Sequence, residues 1–299
     1  MFRDLLAAVR KEASGERARE TVRAVSGFHR VQASPGYDAA AAWLEGELRG
    51  LGLEPERDEA PGDGRTRCLG LLMPQGWECR HARAVLEDGG AAETLCEAGR
   101  EPLSVVLRSA PVRGRFPVVD VGPGTEPSHY AGREVRGAVV LASGAVHRVH
   151  RLAAIERGAA GVLTDTRRLA PPVRLAGDER DALNYTSFWW NEREPRGWGF
   201  VVTPETGDRL RARLAAGARL FLDAVIDSRA FDTVMPLVST RVGPAAGHEV
   251  LVTAHLCHPQ TSANDNGSGV AAALQTARVL SRLAARGAWA PRHAVRFLW

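Results

Sequence analysis

Only one lysine, Lys11, stands among the 39 Lys and Arg residues of this 299-residue chain, so its formal charge of +4 is carried almost wholly by arginine. The arginines are scattered among abundant alanine and glycine, and runs such as Arg167-Arg168 and Arg211-Ala212-Arg213 are short enough to be solvated faces. No dense basic cluster with interleaved aromatics occurs, which excludes the usual footprint of a nucleic-acid surface. Four cysteines (Cys68, Cys79, Cys96 and Cys257) lack C-x-x-C spacing, excluding a zinc ribbon or a dithiol redox motif. No apolar stretch approaches a membrane span. Met1-Phe2-Arg3-Asp4-Leu5-Leu6 does not read as a secretory leader, so a cytoplasmic location with reduced thiols is expected. Internal repeats and low-complexity segments are also missing.

What is present fits a globular α/β protein. Hydrophobic residues make up 44% and charged residues 25% of the chain, and its length suffices for two cores. Three regions follow. Residues 1–58 are helical in pattern, with short helices over 4–12 and 15–25. A longer one runs from Gly36 to Leu51, with Trp43, Leu44, Leu48 and Leu51 on one face. Residues 59–230 change character. Val105-Val106-Leu107, the run from Phe116 to Val121, and Ala138 to Leu141 read as strands. A helix-compatible segment over 149–157, the run Gly158 to Asp165, and then Phe200 to Pro204, a helix over 206–216 and Leu220 to Val225 follow. Within this region Asn184 to Asn191, with Trp198, gathers aromatics into a turn-rich stretch that suits either a substrate cleft or a satellite core.

Residues 231–299 carry the most specific signal. Glu249 to Ala254 reads as a buried strand, and Val270, Ala273, Leu274, Ala277 and Leu280 repeat at helical spacing. Between them lie Ala254-His255-Leu256-Cys257-His258-Pro259 and Ser262-Ala263-Asn264-Asp265-Asn266-Gly267-Ser268-Gly269. A strand end, polar loop and helix start is where open α/β sheets place their sites. His255 and Asp265 are ordinary zinc ligands, and Asn264 and Asn266 offer amides beside the carboxylate. A hydrogen-bonded histidine beside a plain Asn-Asp turn is the competing structural explanation; the combination with strand and helix favours a metal site.

This segment resembles the di-zinc aminopeptidases related to glutamate carboxypeptidase and the transferrin receptor. The resemblance implies that His255 binds one zinc and that Asp265 bridges two. Cys257 stands where most members carry an Asp that orients the His ligand, and a thiol is a poorer acceptor for an imidazole N–H. His258 is an additional candidate, and Cys257 and His258 form an alternative ligand pair. Ser34-Pro35-Gly36-Tyr37 resembles the opening of the same family, and the Gly/Val pattern of the middle region resembles its inserted protease-associated domain. The expected fold is a mixed-sheet α/β zinc-peptidase domain of three layers (phosphorylase/hydrolase-like), incomplete, interrupted by a β-rich α/β insertion.

His293 to Trp299 reads as a further buried strand. In the resembled family this strand leads into a Glu-Glu pair, general base then ligand, so the sequence is expected to be a fragment with its catalytic base beyond Trp299. The functional expectation is a zinc-dependent aminopeptidase acting on peptides, with two ions in the complete enzyme and with neither nucleic acid nor membrane as a partner. The alternative is a non-catalytic relative serving as a protein-binding module. A metal-free hydrolase using Cys257 and His258 is disfavoured, because neighbouring side chains on a strand diverge.

Overall fold

The structure, a computed structural model, describes residues 2–167, 169–175, 177–190 and 195–299. Arg168 and Asn191, which belong to two stretches singled out above, lie outside them. The chain begins with helices α1 (Phe2–Glu12), α2 (Gly15–Ser26) and α3 (Pro35–Gly50). Strands β1 (Glu56–Gly62), β2 (Arg67–Cys68), β3 (Leu71–Leu72), β4 (Gly76–Asp88), β5 (Ala91–Glu97), β6 (Val112–Asp120) and β7 (Val139–Ala142) follow. Then come α4 (Val146–His150), β8 (Gly161–Thr164), β9 (Gly199–Val201), α5 (Pro204–Ala215), β10 (Leu220–Phe231) and β11 (Thr233–Val242). The last elements are β12 (Glu249–Thr253), α6 (Gly269–Ala285) and β13 (Ala294–Leu298). Among the described residues no helix is long and apolar enough to cross a membrane.

Two compact units result, residues 1–76 with 231–299, and residues 77–230. The boundary expected at residue 59 falls inside β1. That strand pairs antiparallel with β11 from Glu56 opposite Ser239 to Gly62 opposite Thr233. A ladder that is continuous through residue 59 keeps the segment up to Gly76 with the first unit.

The first unit has a mixed sheet in the order β1-β11-β13-β12, with β12 and β13 parallel and β11 antiparallel to both its neighbours. Helix α6 joins the parallel pair, as such a connection requires. Its core joins Leu44 and Leu48 of α3, Val270, Leu274 and Ala277 of α6, and Phe297 of β13. Each fully buried Leu or Phe side chain stabilises the unit by about 1.5–3 kcal/mol. Ser34, Pro35, Gly36 and Tyr37 each have a local task at the start of α3. Ser34 Oγ accepts from the Tyr37 amide at 3.2 Å, Pro35 occupies the first turn, and Tyr37 donates its hydroxyl to the Pro236 carbonyl at 3.0 Å. A side chain at Gly36 would lie 2.2 Å from the His29 carbonyl oxygen.

One expectation fails here. The apolar run of β12 is not buried, since Val250 and Leu251 are 54% and 58% exposed. Beta-branched composition specified the strand, but β12 is the outermost strand of its sheet, with a single pairing neighbour.

The second unit is a seven-stranded mixed sheet in the order β5-β4-β10-β6-β7-β8-β9. Strands β6 to β9 run parallel, whereas β4–β5 and β10–β6 are antiparallel. Every residue of β7 and β8 is buried. Helix α5 is tied to this sheet by Arg211, whose guanidinium grips both carboxylate oxygens of the buried Asp165 at 2.5 and 2.8 Å. Val105 to Leu107, expected as a strand, makes only isolated bridges, from Val105 to Phe200 and from Leu107 to Ser187. The aromatic stretch divides between the two roles considered for it. Phe188 is fully buried and stacks on Trp190 with centroids 4.5 Å apart, while Trp189 is 55% exposed. Both tryptophans and Phe188 line a cavity of about 410 Å³ together with His150.

Candidate metal centre

The segment that follows β12 stays in register with its neighbour for one more residue, because the Ala254 amide donates to the Leu298 carbonyl at 3.0 Å. His255 is therefore the first side chain beyond the ladder, and it is exposed. Leu256 turns inward and is buried, Cys257 and His258 are half-buried, and Pro259 is buried. The chain then takes a left-handed step at Ser262 (φ 39) and enters a wide helical turn over Ala263–Ser268, from which α6 continues. Asp265 (φ −101, ψ 97) breaks the helical path inside this turn, and the Ser262 hydroxyl donates to the Asp265 carbonyl. Wide turns of this kind are frequent at functional positions.

These backbone features bring His255 and Asp265 together across the loop. His255 Nε2 lies 3.0 Å from Asp265 Oδ1, and His258 Nε2 lies 3.7 Å from Asp265 Oδ2. The carboxylate thus presents one oxygen to each imidazole. Two donors each about 2.0–2.1 Å from one zinc ion at a tetrahedral angle stand roughly 3.3 Å apart. The separation of His255 Nε2 from Asp265 Oδ1 is close to that value, and the imidazole–carboxylate donor set is one that zinc accepts. Among the described residues, however, no group of three His, Cys, Asp or Glu side chains is disposed to hold a metal ion. The residues present fit part of a metal site.

The orienting contact on His255 comes from backbone. Its Nδ1 lies 2.9 Å from the Cys257 carbonyl oxygen and 3.7 Å from Cys257 Sγ. The Cys257 carbonyl can only accept, so this contact calls for a proton on Nδ1; the Asp265 carboxylate facing Nε2 is also an acceptor, and a cation between the two would let Nε2 present its lone pair. A backbone carbonyl here does the work that a carboxylate at position 257 would do, which the side-chain chemistry of cysteine could not reveal. His258 Nδ1 contacts the Pro259 carbonyl at 3.1 Å, and burial lowers the pKa of this ring, outweighing the nearby Asp265.

Asn264 and Asn266 serve the turn. Ser268 Oγ donates to the Asn264 carbonyl at 2.9 Å and to its Oδ1 at 3.1 Å, fastening the turn to the head of α6. The Asn266 amide lies against Gly269, where an added Cβ would come 2.1 Å from Asn266 Oδ1, so a larger residue there would displace the Asn266 side chain. His29 and Arg30, absent from the sequence reading, also reach this loop. His29 Nδ1 accepts the Gln260 amide at 3.2 Å, and burial beside the Arg30 charge pushes its pKa down to about 4. Nothing local in Phe28-His29-Arg30-Val31 signals this; the contacts span more than 200 residues.

Comparison with known proteins bears on the same segment. Residues 237–299 match the family model of Peptidase family M28. A search of curated protein sequences returns no match. Among solved structures, the Peptidase M28 precursor from Shewanella amazonensis SB2B is similar at TM-score 0.66 and 16% identity, over 98% of this chain and 65% of that one. The zinc aminopeptidase from Bacillus subtilis gives TM-score 0.60 and 18% identity, over 95% of this chain and 60% of that one. The aminopeptidase from Aneurinibacillus sp. strain AM-1 gives 0.57 and 18%, over 97% and 63%. The chain therefore spans about 60–65% of the length of these structures. The mixed α/β fold matches that of M28 aminopeptidases, and His255 and Asp265 lie within the segment that matches the family model.

Proposed function

We propose that this protein is a metal-dependent peptidase of the M28 type that removes N-terminal residues from peptides, with His255 and Asp265 as zinc ligands. The observation that carries the reading is the 3.0 Å approach of His255 Nε2 to Asp265 Oδ1 inside the segment matched to the family. Zinc bound there would polarise a substrate carbonyl and lower the pKa of water to near neutrality. The chain's own residues supply the rest of the arrangement. The Cys257 carbonyl holds the Nδ1 proton of His255, so that Nε2 keeps its lone pair for the ion. Asp265 offers one oxygen on the His255 side and one on the His258 side, the arrangement a carboxylate needs to bridge two ions. Two zinc ions per chain are proposed for the intact enzyme. The backbone acceptor at Cys257 also weakens the alternative of a non-catalytic relative, because loss of an acidic side chain at that position does not release the histidine.

Metal content and turnover test the proposal together. The intact protein, loaded and dialysed, should retain zinc and hydrolyse an aminoacyl-anilide. His255→Ala and Asp265→Ala should each lose metal and activity while keeping the far-ultraviolet circular dichroism of the parent. No retained zinc, cobalt or manganese after loading would end the reading.

A further inference from the structure

We propose that Arg30 is a positioning residue for His255, acting through the backbone of residues 256–258. Its side chain is fully buried and donates to carbonyl oxygens from two separate stretches of chain. Nε reaches Leu256 at 2.7 Å and Nη2 reaches Ser262 at 3.2 Å, so one guanidinium holds both ends of the loop after β12. Nη1 reaches Val25 at 2.9 Å and Phe28 at 3.3 Å, anchoring the group to the end of α2. Its own backbone pairs with His258 in both directions, at 3.1 and 2.9 Å.

The consequence lies at residue 257. In extended chain, successive carbonyls point to opposite sides. The carbonyls of Leu256 and His258 both face Arg30, so that of Cys257 faces away, toward His255 Nδ1 at 2.9 Å. Arg30 therefore holds an acceptor against His255 Nδ1 without touching the ring, opposite the Asp265 carboxylate that faces Nε2. A buried charge is costly unless its donors are satisfied, and a planar fork of five N–H groups suits several carbonyls at once, which a lysine cannot reproduce. Gly36 lets the start of α3 close on the His29 carbonyl next to it.

The structural part of this inference stands without the metal; only its effect on affinity rests on the proposed function. Ring-nitrogen NMR of ¹⁵N-histidine-labelled protein, well above the ordinary imidazole pKa, reads the tautomer directly. In an Asp265→Ala background, which removes the competing acceptor at Nε2, His255 should be protonated at Nδ1, and adding Arg30→Lys or Arg30→Gln should redistribute the proton toward Nε2. The amides of Arg30 and His258 should be protected from exchange in the parent and exposed in both variants. Zinc affinity, measured against a chromophoric chelator, should fall about 10–100-fold. Arg278→Lys, which alters another buried arginine bonded to the Glu12 carbonyl, should lower stability and leave the His255 signature intact. An unchanged tautomer and unchanged protection in the Arg30 variants would overturn the proposal, as would the same redistribution in Arg278→Lys. Should the Arg30 variants fail to fold, the parent decides, because amides at 30 and 258 that exchange at loop rates refute the clamp. A parent that binds no zinc, yet shows protection and, with Asp265→Ala, the Nδ1 signature, removes the metal reading and retains Arg30's role.

Discussion

Two strands with similar sequences have opposite surroundings. Val139–Ala142 (β7) and Glu249–Thr253 (β12) are both short, β-branched and parallel to a neighbour. Yet β7 is buried at every residue, and β12 exposes Val250 and Leu251. The difference is place in the sheet. Strand β7 has a partner on each side, β6 and β8, whereas among the described residues β12 pairs with β13 alone. An apolar run announces a strand; its burial is decided by what stands beside it, which no local pattern encodes.

The largest test of this contrast is truncation of matched leucines. Leu141→Ala in β7 should cost about 3 kcal/mol, as large-to-small changes in closed cores do. Leu251→Ala in β12 should cost less than about 1 kcal/mol, near the range of surface substitutions. Urea unfolding of the two variants decides it, and equal costs would show that β12 is covered in solution.

The second test concerns charge under the site. The pKa of His29 falls from 6.5 to about 4 on folding, chiefly through burial. Between those values the unfolded chain binds the proton that the folded one refuses. Stability contributed by neutral His29 is therefore complete above pH 6.5 and is lost as pH falls toward 4. The loss should reach about 2 kcal/mol after allowance for partial exposure of the ring. His29→Asn, which keeps an acceptor for the Gln260 amide, should flatten the profile of melting temperature against pH. A parent stabilised by acidification over this range would contradict the assignment.

Smaller effects are expected at Cys257 and on the edge. Cys257→Asp should change zinc affinity by less than about tenfold, because the backbone already orients His255; loss of an orienting partner costs 10–100-fold. Chelator competition reads this, and abolished binding would make the thiol itself a ligand. Val250→Lys should alter stability by no more than about 0.5 kcal/mol and lower any self-association seen by light scattering, since a charge on an open strand edge opposes pairing.

Much of the fold could be read from local signals. Ser34-Pro35 marked the start of α3, and the helical spacing of Val270, Leu274 and Ala277 located α6 and its buried face. The candidate site was legible as His255 and Asp265 because strand end, polar turn and helix start are contiguous in sequence. The hairpin of β4 and β5 was missed although Gly89-Gly90, both at positive φ, join Ala82-Ala84-Leu86 alternation to the next strand. Arg30 and the Cys257 carbonyl were not legible at all. One acts across the chain from position 30 to positions 256 and 262, and the other is a group that every residue possesses.

The interruption of the first unit between Gly76 and Phe231 also shapes how the molecule comes together. Strand β1 can pair with β11 only after about 170 intervening residues have been brought round. Closing so long a flexible loop costs about 4 kcal/mol of chain entropy. Strands β4 and β10 are neighbours in the second unit's sheet, and Gly76 and Phe231 sit against each other where those strands begin and end. With Gly76 and Phe231 held together, only residues 63–75 and 232 remain to be closed between β1 and β11, which is roughly 2 kcal/mol cheaper in entropy. The topology thereby favours pairing of β4 with β10 before β1 meets β11.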